Sequence, residues 1–173
     1  MQIPTKIQQV KYAVFLDASG TLLQSSVSNA IGVQLYLDTK NILHAFKERK
    51  INQISIATGV ITNWGNRING MLRALQVESC FDVIISSDTV QKTKPDPSIY
   101  HYACTCLKVD PSHAIHIGDS LLDDALGAQN AGLHGIWLKR GNYLPEEAKN
   151  LIHPYFSNLN DIFQYIQNKI IVS

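Results

Sequence analysis

The chain has 173 residues, enough for one domain with a full core and short for two. An apolar fraction of 45% and a charged fraction of 17% fit a soluble globular protein, and a formal charge of +1 gives no electrostatic reason to invoke nucleic acid or an acidic membrane. The three cysteines, Cys80, Cys104 and Cys106, are odd in number and lack metal-site spacing, so reduced core or half-buried thiols are expected.

Residues 1–11 lack the apolar stretch of a signal peptide, and no long apolar span follows, which makes a reducing cytoplasm the default setting. Residues 12–16 form a short apolar run, the pattern of a strand buried on both faces. The run stops at Asp17, followed by Ala18-Ser19-Gly20-Thr21, small residues suited to a turn. Residues 22–37 have no helical period and suffice for a turn or hairpin. Asp38 is placed to cap a helix with Ile42, Leu43 and Phe46 on its apolar stripe and Lys47, Arg49 and Lys50 at its basic end. Residues 53–57 predict a second strand, ending at Thr58-Gly59.

Asn63 can cap a helix bearing Ile68, Met71, Leu72 and Leu75, and residues 81–85 predict a third strand that ends in Ser86-Ser87-Asp88. Lys94-Pro95-Asp96-Pro97 predicts a loop, with Pro97 in the first turn of a helix reaching Leu107. Residues 114–117 predict a fourth strand, ending in Gly118-Asp119. A helix over residues 121–131 stops at Gly132, residues 134–138 form a fifth strand, residues 141–154 a surface loop, and residues 160–170 a closing helix. Alternation of strand and helix argues for an α/β fold: a doubly wound parallel sheet with helices on both faces, formed by residues 1–173 as one domain.

Four polar clusters fall just past apolar runs: Asp17 with Ser19, Thr58, Lys94, and Asp119 with Asp124. A doubly wound sheet gathers such strand ends at one edge. Asp17 and Asp119 are hard oxygen ligands suited to Mg²⁺. Lys94 supplies a cation, and the Thr58 hydroxyl with the N–H groups of residues 18–20 can donate to phosphoryl oxygens. Each residue also has a plainer reading: Asp17 as a turn former, Asp119 as a helix cap, Asp123 and Asp124 as favourable charges in a first turn, Lys94 as a solvated loop residue. Convergence of all four at strand ends favours the chemical reading. His44, His101 and His116 have no carboxylate or serine partner at informative spacing and are expected to be structural.

Asp17-Ala18-Ser19-Gly20-Thr21 after its strand resembles the first motif, D-x-D-G-T, of the haloacid dehalogenase superfamily, whose first Asp attacks phosphorus. Thr58 matches the second motif, Lys94 in Lys-Pro-Asp-Pro resembles the third, and Gly118-Asp119 through Asp124 is similar to the fourth, G-D-x-x-x-x-D. The resemblance runs from Tyr12 to about Arg140. It implies a Rossmann-like fold and Mg²⁺ held by Asp17, the Ser19 carbonyl oxygen and Asp119, with Asp124 supporting the metal or Lys94. It also implies an aspartyl-phosphate intermediate on a phosphorylated small molecule or macromolecule.

Two features depart from the family pattern. Ser19 stands where phosphatases of the family carry the general acid, a group worth about 10²- to 10⁴-fold in rate. Residues 22–37 are far shorter than the cap domain that many members insert there, which leaves a nearly capless member with an open site. Haloacid dehalogenases of the family need no Mg²⁺ and lack the Gly-Asp present here as Gly118-Asp119, so a metal-dependent phosphatase with slowed turnover is the leading reading. The competing reading is a phosphate-binding or protein-interaction module that keeps the metal site.

Overall fold

The computed structural model describes residues 10–172; most of the N-terminal stretch searched for a signal peptide, residues 1–9, lies outside them. Strand β1 (Tyr12–Leu16) runs into a hairpin of β2 (Leu23–Ser25) and β3 (Val33–Leu35), which is all that stands in place of a cap. Helix α1 (Lys40–Glu48) and the two-residue strand β4 (Lys50–Ile51) lead into β5 (Ile54–Thr62). Asn52 and Gln53 between them both have positive φ, 50° and 64°, the geometry of a tight hairpin turn. Next come α2 (Arg67–Ala74), β6 (Val83–Ser86), a single turn α3 (Ser87–Val90), α4 (Pro97–Leu107) and β7 (Ala114–Gly118). Leu121–Leu126 is wound as a π-helix and continues as α5 (Gly127–Asn130), before β8 (His134–Trp137) and α6 (Leu159–Lys169).

Five parallel strands lie in the order β6-β5-β1-β7-β8, with the short β4 antiparallel to the start of β5. Ordered by position in the chain, these are strands 3-2-1-4-5, so the winding reverses between β1 and β7, and the crevice beyond their carboxyl ends is where ligands bind in such sheets. Alternate residues of β1 serve opposite faces. Val14 and Leu16 pack with Ile42 and Phe46 of α1, Ile68 and Leu72 of α2, and Ile162 and Ile166 of α6. Ala13 and Phe15 pack with Ile99, Tyr100 and Ala103 of α4 and Ala128 of α5. Helices therefore cover both faces, as the alternation implied. Among the described residues no helix is long and apolar enough to cross a membrane.

Several local expectations are corrected. The second strand does not stop at Thr58-Gly59 but runs on to Thr62. Gly59 is there because Phe15 and Val83 crowd it: a Cβ would lie 2.8 Å from a side-chain atom of each. Asp38 does not cap α1; it accepts a hydrogen bond from the Leu159 N–H (2.9 Å) at the start of α6. Asn63 does not cap α2, whose approach is held by Asp88 accepting from the Asn66 N–H (2.8 Å). The third strand begins at Val83 and the closing helix is capped by Asn158. Arg49, at the end of α1, does act on its carbonyls by bonding the Phe46 oxygen. Cys80 and Cys104 are buried free thiols, while Cys106 is exposed rather than half-buried.

Candidate active site

Beyond the carboxyl ends of β1 and β7 lies a cleft of about 140 Å³, lined by Asp17, Ser19, Thr62, Asn63, Trp64, Lys94, Asp119, Ser120, Asp123 and Asp124. Asp17 enters it because its N–H continues the ladder to the Ile117 oxygen (2.9 Å), fixing the carboxylate one residue past β1. Asp119 sits one residue past β7, its carbonyl oxygen held by the Trp137 indole N–H (2.9 Å). Both carboxylates thus flank the point where the winding reverses.

Lys94 is buried and its ammonium donates to Asp17 Oδ1 (2.6 Å) and Asp124 Oδ1 (2.5 Å). Its backbone is fixed by Asn63, which accepts from the Lys94 N–H (2.7 Å) and donates to the Lys94 oxygen (3.1 Å). Asp124 Oδ1 also accepts from His116 Nε2 (3.0 Å), and Asp124 Oδ2 from the Ser120 N–H (2.9 Å). Burial opposes the charge on Asp124, but Lys94 and His116 outweigh it and hold the carboxyl below its ordinary range. For Asp17 the balance is opposite: burial lifts it to about 7 against the pull of Lys94. Burial also disfavours the Lys94 charge, yet Asp17 and Asp124 raise its pKa above the ordinary value. One ammonium therefore faces four cleft carboxylates, counting Asp119 and Asp123.

That excess of negative charge suits a divalent cation. An oxygen from each of Asp17, Asp119 and Asp124 lies within 4.8 Å of the others, close to the ~3 to 4 Å that separates ligands at the short Mg–O distance. Two glycines make the convergence sterically feasible. A Cβ on Gly20, at φ 78°, would lie 2.2 Å from Asp119 Oδ2, and one on Gly118 would lie 2.1 Å from Asp124 Cγ. The bridge between Ser19 and Leu23 uses the Gly20 N–H and the Ala18 oxygen, leaving Ser19's own N–H and carbonyl oxygen for a ligand. The all-oxygen donor set therefore fits Mg²⁺, although the Gly20 N–H expected to face a phosphoryl group is already taken by the Leu23 oxygen (2.9 Å).

Asp17, Ser19, Lys94, Asp119 and Asp124 are brought together as the sequence suggested. Thr58 is not. It lies four residues before the end of β5, about 13 Å from it at strand rise, and its hydroxyl donates to the Cys80 oxygen (2.8 Å) and Asp82 Oδ2 (3.1 Å). Thr62 lines the cleft instead, its Oγ1 accepting from the Trp64 N–H (3.2 Å) and its proton free to donate. The signal is the apolar pair Val60-Ile61 that resumes after Gly59, which places the polar strand end at Thr62-Asn63. His116 is also corrected, because it does have a carboxylate partner in Asp124. Its Nδ1 has no hydrogen-bond partner among the described residues, which puts the ring proton on Nε2, and burial lowers its pKa. His101 is structural as expected, with its ring bonded to the Ala131 oxygen (2.8 Å).

Comparison with known proteins agrees with this geometry. Residues 9–138 match the family model described as haloacid dehalogenase-like hydrolase. The human N-acylneuraminate-9-phosphatase is 29% identical over 98 residues, 56% of this chain and 40% of that protein. A glyceraldehyde 3-phosphate phosphatase from Pyrococcus furiosus is 38% identical over 88 residues, 50% of this chain and 36% of that protein. The chain thus spans well under half the length of these relatives. The crystal structure of a HAD phosphatase from Thermococcus onnurineus superposes with a TM-score of 0.69 at 26% identity, covering 79% of this chain and 60% of that one. With the family model matched over most of its length and the motif carboxylates gathered at one sheet edge, the chain belongs to the haloacid dehalogenase-like hydrolase family.

Proposed function

We propose that the chain is a Mg²⁺-dependent phosphohydrolase or phosphotransferase that works through an aspartyl-phosphate on Asp17. The observation that carries this reading is the Asp17 carboxylate at the strand edge, paired with a buried lysine at 2.6 Å and grouped with two further carboxylates. Asp17 attacks phosphorus as nucleophile. Lys94 offsets charge on the nucleophile and the phosphoryl oxygens. The Thr62 hydroxyl and the Ser19 N–H donate to those oxygens, work that the sequence assigned to Thr58. Mg²⁺, held by Asp17, the Ser19 carbonyl oxygen and Asp119, would neutralise phosphoryl charge. Asp124 keeps Lys94 in place and has one lone pair left for the metal or its waters.

Ser19 lines the cleft, but near neutral pH a hydroxyl neither protonates a leaving oxygen nor activates water, so formation and hydrolysis of the aspartyl-phosphate are both slow. The relatives named above are phosphatases, which supports a phosphorylated substrate. The test is adduct formation: beryllium fluoride with Mg²⁺, read by fluorine NMR, is expected to label the parent and not Asp17→Asn. Folded, Mg²⁺-binding parent protein that forms no adduct, and takes no phosphoryl group from acetyl phosphate, would leave the non-catalytic binding module as the better account.

A further inference from the structure

The nucleophile loop contains a residue with little conformational restraint of its own. Gly20 has φ 78° and no side chain, so the peptide planes on either side of it are freer to turn than at any other residue type. Its N–H is held by Leu23, but its carbonyl oxygen and that of Thr21 are held, among the described residues, by one side chain just beyond the matched region. Arg140 Nε donates to the Gly20 oxygen (2.8 Å) and Nη2 to the Thr21 oxygen (3.0 Å).

The same guanidinium also holds the other root of the β2–β3 hairpin. Nη2 and Nη1 donate to Asp38 Oδ1 (3.0 Å) and Oδ2 (3.1 Å), and the Arg140 Cζ lies 3.6 Å from the centroid of the Tyr36 ring. Tyr36 in turn donates its N–H to the Leu22 oxygen (3.0 Å). Four of the five N–H bonds of a guanidinium are therefore engaged. Both strands that carry the hairpin away from the cleft leave from a single planar fork, three-quarters or more shielded from water on each partner.

We propose that Arg140 is a positioning residue of the candidate site: it fixes the Gly20 and Thr21 peptides, and with them the neighbouring Ser19 N–H and carbonyl, in the register the phosphoryl and metal ligands require. The role of Ser19 in that statement rests on the function proposed above. Two features set Arg140 apart from a residue that only supports the fold. It bonds the backbone at Gly20, next to Ser19 and three residues past the nucleophile, and the geometry calls for a planar fork that lysine cannot reproduce.

Hydrogen–deuterium exchange of the metal-free protein tests the placement without any activity. Arg140→Gln is expected to speed exchange across residues 17–26 by about 10- to 100-fold, the factor for losing hydrogen bonds to a charged donor, while amides of β7 and α4 stay as in the parent. Asp38→Asn keeps both carbonyl bonds, so it should lower the melting temperature and leave residues 17–26 nearly unchanged. Mg²⁺ affinity should fall in Arg140→Gln and much less in Asp38→Asn, with adduct formation following the same order. Arg140→Lys, which keeps the charge but not the fork, should resemble Gln in exchange, and it replaces Gln should that variant not fold. Parent-like exchange in Arg140→Gln, a uniform rise across the whole sheet, or equal effects of Asp38→Asn and Arg140→Gln on the loop would each overturn the proposal. Failure of the parent to form an adduct would instead count against the enzymatic reading, with the exchange result still deciding the role of Arg140.

Discussion

Replacing Lys94 with methionine removes the one ammonium of the cleft at nearly constant volume. The side chains of Lys94 and Asp124 are each 2% exposed and that of Asp17 is 9% exposed, so little water is available to screen what remains. Removing one partner of a buried pair costs about 3–5 kcal/mol, and for a chain of this size each kcal/mol moves the melting temperature by about 2–4 °C. The expected loss is therefore about 6–20 °C near neutral pH. Its pH dependence has a definite sign. Asp17 already sits above its unfolded value, so its protonated form favours the folded state at low pH and that contribution disappears as pH rises through about 7. Without Lys94 the pKa of Asp17 climbs further, and that of Asp124 loses the charge that chiefly depresses it. At pH 5 the Asp124–Lys94 pair of the parent is still formed, so the variant should already lie below the parent there, and the gap should widen towards pH 8 as Asp17 ionises. Saturating Mg²⁺ should restore part of the gap, because the cation supplies the missing positive charge. Circular-dichroism melts of both proteins at the two pH values, with and without Mg²⁺, measure all of this. A pH-independent gap, or parent-like melting near pH 8, would refute the charge balance described for the cleft.

Thr62→Val should cut adduct formation and turnover at least tenfold while leaving the melting temperature near the parent's, whereas Thr58→Val should lower stability by about 1–3 kcal/mol, the cost of orphaned buried partners, and spare the chemistry; trapping assays and denaturant titration separate the two. Ser19→Asp should raise Mg²⁺-dependent hydrolysis of a phosphomonoester by at most about 10²- to 10⁴-fold. Comparison with Asp17→Asn/Ser19→Asp checks that any gain runs through the nucleophile.

The parts of the fold that were legible in the sequence are those set by local patterning. Five apolar runs gave five parallel strands, and Asp17, Lys94 and Asp119 could be placed because each closely follows a run or a proline-marked loop. The error at Thr58 has a specific cause. A glycine after a threonine reads as the end of a strand, because glycine usually marks a turn. Here Gly59 answers a different demand, close approach by Phe15 of the neighbouring strand and Val83 of the next, and a close approach across a sheet leaves no mark in the adjacent sequence. The apolar Val60-Ile61 beyond the glycine, followed by Thr62-Asn63, is the signal that the strand continues.

What stayed hidden depends on partners far apart in the chain. Asp38 looked like a helix cap because aspartate before a helical stripe usually is one, yet its carboxylate is claimed by Arg140 and the start of α6, more than a hundred residues away. His116 looked partnerless because Asp124 reaches it from the π-wound turn rather than from a neighbouring strand position. That turn matters for the chemistry. The Leu121–Leu126 winding turns Asp124 back over Gly118, where a Cβ would collide with its carboxyl, and there it meets Lys94 and His116 together. An ordinary α-helical start would present residue 124 at another angle, so the fourth motif does more than contribute an acidic residue. It supplies a glycine with room for the carboxylate and a helix start wound to deliver it, and both are needed before a lysine thirty residues upstream can be shared between Asp124 and the nucleophile.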